Sequence, residues 1–305
     1  MAQPVAIITG ASSGIGEATA KRLQDAGYVV YAGARRLDRM TGLVERGIHA
    51  VELDVTDDAS MGALVDTILA EQGRIDVLVN NAGYGSYGAV EDVPLAEARR
   101  QLDVNLFGLA RLTQLVLPTM RQARRGRIIN ISSIGGRMGE PLGAWYHASK
   151  FAVEGFSDSL RLELHDFDIH VVIVEPGAIR TEWGDGALQS ARTYSAETAY
   201  AAHVAAMDRM YASAYDFAVE PAVIADVIHR AATARRPKIR YAAPTSAKVL
   251  MALTRLMPDR LKDGAARRMM LGGPVDVDSA SRRFGLDPTD AGNVGGQRPG
   301  RQAPT

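Results

Sequence analysis

Hydrophobic positions along this chain follow two alternating rhythms. Short apolar runs recur at Val5–Thr9, Tyr28–Ala34, Ile48–Leu53, Val77–Asn80, Arg127–Ile131, Ile169–Glu175 and Lys238–Ala242. Between them lie longer helical patterns at Ile15–Ala26, Leu37–Arg46, Asp57–Gln72, Leu95–Arg121, Trp145–His165 and Glu220–Arg235. The runs predict strands and the longer stretches predict helices. The runs are continuous rather than alternating. Such strands are covered on both faces, which requires a parallel sheet with helices on each side. Repetition of the βαβ unit predicts a doubly wound α/β sheet. Gly27 stops the first helix, and Pro118 predicts a bend in the helix over Leu95–Arg121.

The regularity weakens after Pro176. Gly184–Tyr215 reads as one or two helices forming a lid over the carboxyl edge of the sheet. Ser246–Leu271 reads as helices broken at Pro258. Residues 1–271 are thus expected to form one domain. The Gly- and Pro-rich stretch Gly272–Thr305 has no periodicity and is expected to be a disordered tail. Lys248, Arg255, Arg260, Lys262, Arg267 and Arg268 are interleaved with Leu and Met. That segment admits two readings, a membrane-surface helix or a helix packed on its own domain with a solvated basic face.

Composition narrows the function classes. The 305 residues carry 35 Lys and Arg against 35 Asp and Glu, so no net charge favours nucleic acid, and no basic patch or aromatic stacking platform is legible. The absence of cysteine excludes disulfides, thiolate metal sites and a thiol nucleophile. No metal site is expected. No apolar run is long enough to span a bilayer, and no basic leader precedes Val5, so a soluble cytoplasmic protein is expected.

Two clusters carry chemistry. The first strand runs into Thr9-Gly10-Ala11-Ser12-Ser13-Gly14-Ile15-Gly16 and then directly into a helix. Glycines let the backbone approach a pyrophosphate, and the helix N-terminus offers N–H groups and a positive dipole end to the phosphates. In the second cluster, Tyr146 and Lys150 of Tyr146-His147-Ala148-Ser149-Lys150 sit one turn apart on one helix face. Ser132-Ser133 ends a strand upstream, and Asn105 lies on another helix. A lone Y-x-x-x-K describes many surface helices. Tyr, Lys, Ser and Asn gathered at one sheet edge describe a proton-transfer site.

Taken together these residues resemble the short-chain dehydrogenase/reductase family. The matching segments are Thr9–Gly16, Leu53–Val55, Asn80–Gly83, Val104-Asn105, Ile131–Ser133, Tyr146–Lys150, and Pro176-Gly177 with Thr181, in the family's order and spacing. The resemblance implies a Rossmann-type fold with about seven strands and nicotinamide-dependent carbonyl/alcohol chemistry. It implies Tyr146 as acid/base and Lys150 as the charge that favours its phenolate and binds the nicotinamide ribose. Ser133, preferred to Ser132 on the family's spacing, would bond the substrate oxygen, and Asn105 would hold a relay water. Gly10, Ser12, Ser13, Gly14, Ile15, Gly16, Asp54, Val55, Asn81, Ala82, Gly83, Pro176, Gly177 and Thr181 are implied cofactor contacts.

Ala34 ends the second strand where a family member using NAD typically has a carboxylate, and Arg35 and Arg36 follow. That predicts NADP(H), with Arg35 on the 2′-phosphate. Tyr84–Tyr87, Ile134–Leu142 and Trp183–Tyr215 should wall the substrate pocket. Ser149–Ser157 and the long C-terminal extension resemble steroid and retinol dehydrogenase-like members, which implies a lipophilic ketone, aldehyde or alcohol. On the Tyr146 helix, Val153, Phe156, Leu160 and Leu164 should face the sheet. Phe151, Gly155 and Leu162 fall on a separate face, where the family commonly pairs subunits, so a homodimer or homotetramer is expected. The alternative is a redox-inactive dinucleotide sensor on the same fold, a reading that gives Tyr146 no purpose.

Overall fold

The computed structural model describes residues 2–271, and the expected tail at 272–305 lies outside them. Seven parallel strands form one sheet: β1 Val5–Thr9, β2 Val29–Ala34, β3 His49–Glu52, β4 Val77–Asn80, β5 Gly126–Ile131, β6 Ile169–Pro176 and β7 Arg240–Ala243. Their order is β3-β2-β1-β4-β5-β6-β7. The chain therefore reverses its direction of travel between β1 and β4, and their carboxyl ends flank the crevice where such sheets bind ligands.

Strands β1 to β6 supply residues to two cores. On one face Ala6, Ile8, Val79, Ile129 and Val174 pack with Ala20 and Leu23 of α1 (Gly14–Asp25) and with Ile224 and Ile228 of α9 (Pro221–Thr233). On the other, Ile7, Leu78, Ile128 and Val171 meet α3 (Asp58–Gln72), α5 (Leu109–Ala123) and α6 (Ala144–Glu163) through Leu64, Ile68, Leu112, Val116 and Leu160. Double coverage is why the strands read as unbroken apolar runs. Val153, Phe156, Leu160 and Leu164 face inward, as their spacing predicts.

Two predicted helices are interrupted. Leu37–Arg46 is a 3-10 turn, Leu37–Met40, followed by the single turn α2, Thr41–Val44. Leu95–Arg121 is α4 (Leu95–Leu102), a π-helical turn at Asp103–Gly108, and then α5, with Pro118 inside the α-helical part. The departure from α geometry thus falls at Asn105 and not at the proline. A π turn inserts an extra residue that re-aims neighbouring groups. Here it carries Asn105 against the site and brings Gly108 against the Val55 carbonyl, where a Cβ would lie 2.4 Å from the oxygen. The lid region forms α7 (Trp183–Ser195) and α8 (Ala201–Phe217). The C-terminal part forms α10 (Thr245–Leu256) and α11 (Asp259–Leu271), parted at Pro258. No helix among the described residues is long and apolar enough to cross a membrane.

Candidate active site

The glycine loop leaving β1 is built for close approach. Gly10 (φ +67°) and Gly14 (φ +57°) adopt left-handed backbone that a side chain would strain. A Cβ on Gly10 would stand 2.8 Å from the Ala82 Cα, and one on Gly16 only 2.3 Å from the Gly10 oxygen. Thr9 and Asn81 lock this loop to the end of β4. The Asn81 and Ala82 N–H groups donate to Thr9 Oγ1 at 3.0 and 2.9 Å, and Asn81 Nδ2 donates to the Thr9 and Gly10 carbonyls at 2.9 and 3.2 Å. The Asn81 side chain therefore shapes the loop. Ser13 precedes α1 in extended conformation and its side chain does not cap the helix. The first-turn N–H groups are left to an anion, which suits a dinucleotide pyrophosphate. Ser12 and Ile15 lie in the same loop, buried and half-buried. Thr181 covers it from the β6 side, with its Cγ2 3.0 Å from where a Gly14 Cβ would be. Pro176 ends β6. The Gly177 N–H donates to the Ala243 carbonyl at 2.8 Å, so this pair is anchored on β7.

Beyond the carboxyl ends of β2 and β3 lies a pocket of about 400 Å³ lined by Arg35, Glu52, Asp54, Asp57 and Ser60. Ala34 at the end of β2 is buried, and Arg35 and Arg36 beyond it are exposed. Asp54 accepts from the Thr56 N–H (2.9 Å) and hydroxyl (2.7 Å), closing the turn beyond Val55. Burial pushes its carboxyl up, but the Thr56 bonds and the nearby Arg35 and Arg100 charges outweigh it, and the net shift is downward. Asp57 caps α3 through the Ala59 N–H at 3.0 Å. Glu52, which sequence reasoning did not single out, lies opposite Ala34 in the β2–β3 register. Its signal was the strand pairing, invisible without the register. Past β2, Arg39 grips Glu182, just before α7, with bonds of 2.8 and 2.5 Å.

At the carboxyl ends of β4 and β5, α6 presents Tyr146 and Lys150. Ser133 lies just past β5. Its side chain accepts from the Gly135 N–H at 3.0 Å and lies near enough to the Tyr146 phenol to oppose the rise of its pKa. The neighbouring Ser132 is buried without a hydrogen-bond partner for its hydroxyl. Lys150 Nζ donates to the Ile131 carbonyl at 2.9 Å and lies 5.9 Å from the Tyr146 ring centroid. Asn105 donates from Nδ2 to the Tyr84 carbonyl (2.9 Å) and to Ser149 Oγ (3.0 Å), and accepts from the Tyr84 N–H at 3.0 Å. Both Nδ2 protons are thus used, and Oδ1 keeps one lone pair. Gly83 fits between Asn105 and Lys150, where a Cβ would lie 3.1 Å from Asn105 Oδ1 and 3.7 Å from Lys150 Nζ.

Burial governs the electrostatics. It raises the Tyr146 phenol; the Ser133 hydroxyl opposes this and the Glu140 charge adds to it. It pulls Lys150 down to about 8, against the opposing Glu154 carboxylate. Glu154 and Glu175 are themselves buried beside each other, bridged by Arg240 (3.0 and 3.7 Å) and Arg137 (3.5 and 3.1 Å). Burial and the adjacent Glu154 raise Glu175, which Arg137 partly offsets. Among the described residues no cluster of His, Asp or Glu could hold a metal.

An aromatic wall surrounds Tyr146. The rings of Trp183 and Tyr87 lie 4.9 and 5.7 Å from it. Leu142, Leu188, Tyr200, Met207 and Tyr211 join the same cluster, whereas Tyr194 and Met210 lie outside it. Leu142 holds φ +64°, a strained conformation for a bulky residue, and its carbonyl accepts the Gly88 N–H at 2.8 Å.

A parallel sheet, a glycine cradle at its crossover and a Ser–Tyr–Lys cluster beside the cradle form one constellation, and comparison with known proteins decides its lineage. The sequence model described as short chain dehydrogenase matches residues 4–191. The chain belongs to the short-chain dehydrogenase/reductase family. A 3-ketodihydrosphingosine reductase of Bacteroides thetaiotaomicron is 47% identical over 185 residues, 61% of this chain and 67% of that one. An NADPH-dependent 3-dehydrocapnine reductase of Ornithobacterium rhinotracheale is 33% identical over 268 residues, 85% and 94% of the two chains. A solved short-chain dehydrogenase from Streptomyces avermitilis superposes with a TM-score of 0.73 at 34% identity, covering 94% of this chain and 99% of its own. The chain is accordingly an oxidoreductase of this family.

Proposed function

We propose that residues 1–271 form a single catalytic unit that reduces a lipophilic ketone with NADPH, and runs the reverse oxidation of the alcohol. The observation that carries the reading is the placement of Ser133 near the Tyr146 phenol with Lys150 one helical turn away, all beside the glycine cradle. A bound nicotinamide dinucleotide supplies the hydride. Ser133 and Tyr146 hold the carbonyl oxygen, and Tyr146 gives it a proton. Lys150, when charged, makes the phenol a stronger acid and binds ribose hydroxyls. Asn105 holds a water that returns a proton toward Lys150.

Gly10, Gly14, Gly16 and the α1 N-terminus would hold the pyrophosphate. Ala82, Gly83, Val55 and Thr181 would line the dinucleotide, with Pro176 and Gly177 fixing the wall near its nicotinamide. Arg35 would pair with the 2′-phosphate, assisted by Arg36, where Ala34 offers no carboxylate. The names of relatives support the substrate class. 3-Ketodihydrosphingosine, named for one relative, is a long-chain ketone with an amine on the neighbouring carbon, and another relative's name specifies NADPH. The aromatic and aliphatic wall around Tyr146 suits such a chain.

The test is turnover. Purified protein should oxidise NADPH in the presence of long-chain ketones, followed by NADPH fluorescence. Tyr146→Phe should bind NADPH normally and lose at least about a hundredfold in kcat, the usual scale of general acid catalysis. Activity of the variant within tenfold of wild type would remove Tyr146 from its role. Cofactor binding without any carbonyl turnover would favour the sensor reading.

A further inference from the structure

We infer that Glu140, bonded to Tyr87 of the aromatic wall, binds a cationic amine that the substrate carries near its carbonyl. The inference rests on the ketone-reductase reading above and adds the substrate's charge to it.

Glu140 is a carboxylate in a stretch whose neighbours, Pro141 and Leu142, are apolar, and its side chain is only 21% exposed. Its Oε1 accepts the Tyr87 hydroxyl at 2.7 Å. Tyr87 is 1% exposed, and its ring stands 5.7 Å from that of Tyr146 and 6.0 Å from that of Trp183. Among the described residues the only cationic or titratable nitrogen within 4.0 Å of Glu140 is His147 Nε2, at 3.6 Å. His147 Nδ1 lies 2.9 Å from the Gly135 carbonyl, which assigns its proton to that nitrogen. Its Nε2 has no hydrogen-bond partner. Among the described residues the Glu140 carboxylate thus has the Tyr87 hydroxyl as its hydrogen-bond donor and no Lys or Arg nitrogen within 4.0 Å.

A primary ammonium answers this arrangement. It brings three N–H donors and a positive charge to the carboxylate. The placement also serves the reaction. A carboxylate near Tyr146 holds the proton on its phenol, as the Glu140 charge does here. An ammonium seated on Glu140 cancels that effect and makes Tyr146 a better proton donor to the adjacent carbonyl oxygen. A neutral ketone leaves Glu140 half-buried with no cation, which disfavours its binding.

The experiment uses the chain with NADPH and two ketones of equal length, one with an amine on the carbon beside the carbonyl and one with hydrogen there. Wild type should prefer the amino ketone in kcat/KM by about 10- to 100-fold, the range expected for a hydrogen bond to a charged group. Glu140→Gln, which can still accept the Tyr87 hydroxyl, should collapse that ratio toward unity, chiefly through KM. If Glu140 served only to hold Tyr87, the variant would affect both ketones alike and leave the ratio standing. That result, or no preference in wild type, overturns the inference. A second arm needs no turnover. With NADP+ present, Trp fluorescence is titrated with the long-chain 2-amino alcohol and with its amine-free counterpart. The amino alcohol should bind more tightly to wild type and lose that advantage in Glu140→Gln. If neither ketone turns over, the reductase reading fails while this arm still decides the role of Glu140. If both ketones turn over and the two alcohols bind alike, the inference fails and the reductase reading stands.

Discussion

Single side chains here are set against their own solvation, and the clearest case is Lys150. Its ammonium is buried, with one carbonyl acceptor and the Glu154 charge nearby, so its pKa falls from 10.5 to about 8. The unfolded chain binds that proton more readily than the folded one between those two values. Stability must therefore rise with pH from about 8 to about 10.5 through this group, and show no slope from it below 8. Urea unfolding of wild type and Lys150→Met should show wild type gaining a few kcal/mol on the variant across that window. A pH-independent difference would place Lys150 in solvent.

At the same scale, Arg35 is the cation that lines the pocket beyond β2 and β3, with Glu52, Asp54 and Asp57. Asp54 and Asp57 are held in place by Thr56 and Ala59, and the Arg35 charge acts on Asp54. Arg35→Ala should weaken NADPH about 10- to 150-fold, the worth of one charge-assisted bond, and leave NADH nearly unchanged. Fluorescence titration of both cofactors checks this, and equal wild-type affinities would overturn the NADP(H) assignment. Motif residues such as Tyr146 and Gly16 were legible because chemistry or close packing fixes their type. Glu140 and Glu52 were not, because their meaning comes from neighbours far along the chain or one strand across.

Elements show the same division. Strands and the main helices follow from apolar spacing, since burial on two faces dictates it. The π turn at Asp103–Gly108 does not, because its cause is tertiary: Asn105 bonded across to Tyr84 and Ser149, and Gly108 pressed on Val55. Helix α6 carries three surfaces at once. One enters the core, one presents Tyr146 and Lys150, and the third exposes Phe151 (49%) and Leu162 (68%) with Gly155 between them, open to 4 Å. Phe107 of the π turn is also exposed, at 59%. Apolar side chains displayed this openly gain from a cover, and a second copy of α6 offers the same surface in return. The protein should sediment as a dimer or larger at micromolar concentration, and Leu162→Glu should shift it toward monomer without loss of helicity. A wild-type monomer under those conditions would refute the pairing.

For the whole molecule, the sheet order explains why residues separated by more than a hundred positions share one crevice. Thr9, Asn81, Ser133 and Thr181 all follow or end strands whose carboxyl ends point the same way. That much was readable from the βαβ rhythm. The lid was less so. Its apolar residues announced a wall around the substrate, yet nothing in their spacing separated Trp183 and Tyr211, which join the cluster around Tyr146, from Tyr194, which lies outside it.

The bidentate contact between Arg39 and Glu182 turns that crevice into a lever. Arg39 follows the strand that ends at the Arg35 pocket, while Glu182 immediately precedes Trp183, whose ring lies 4.9 Å from that of Tyr146. Order in the loop after β2 is thus expected to steady Trp183 beside Tyr146. Grip on the far end of the dinucleotide is thereby available to organise the reacting end, where it can appear as rate instead of affinity. Reduced nicotinamide mononucleotide, which has no adenosine half, should therefore support turnover with a lower kcat even at saturation, and Arg39→Ala should narrow its deficit relative to NADPH. An unchanged kcat with only a raised KM would mean the two ends of the cleft work independently.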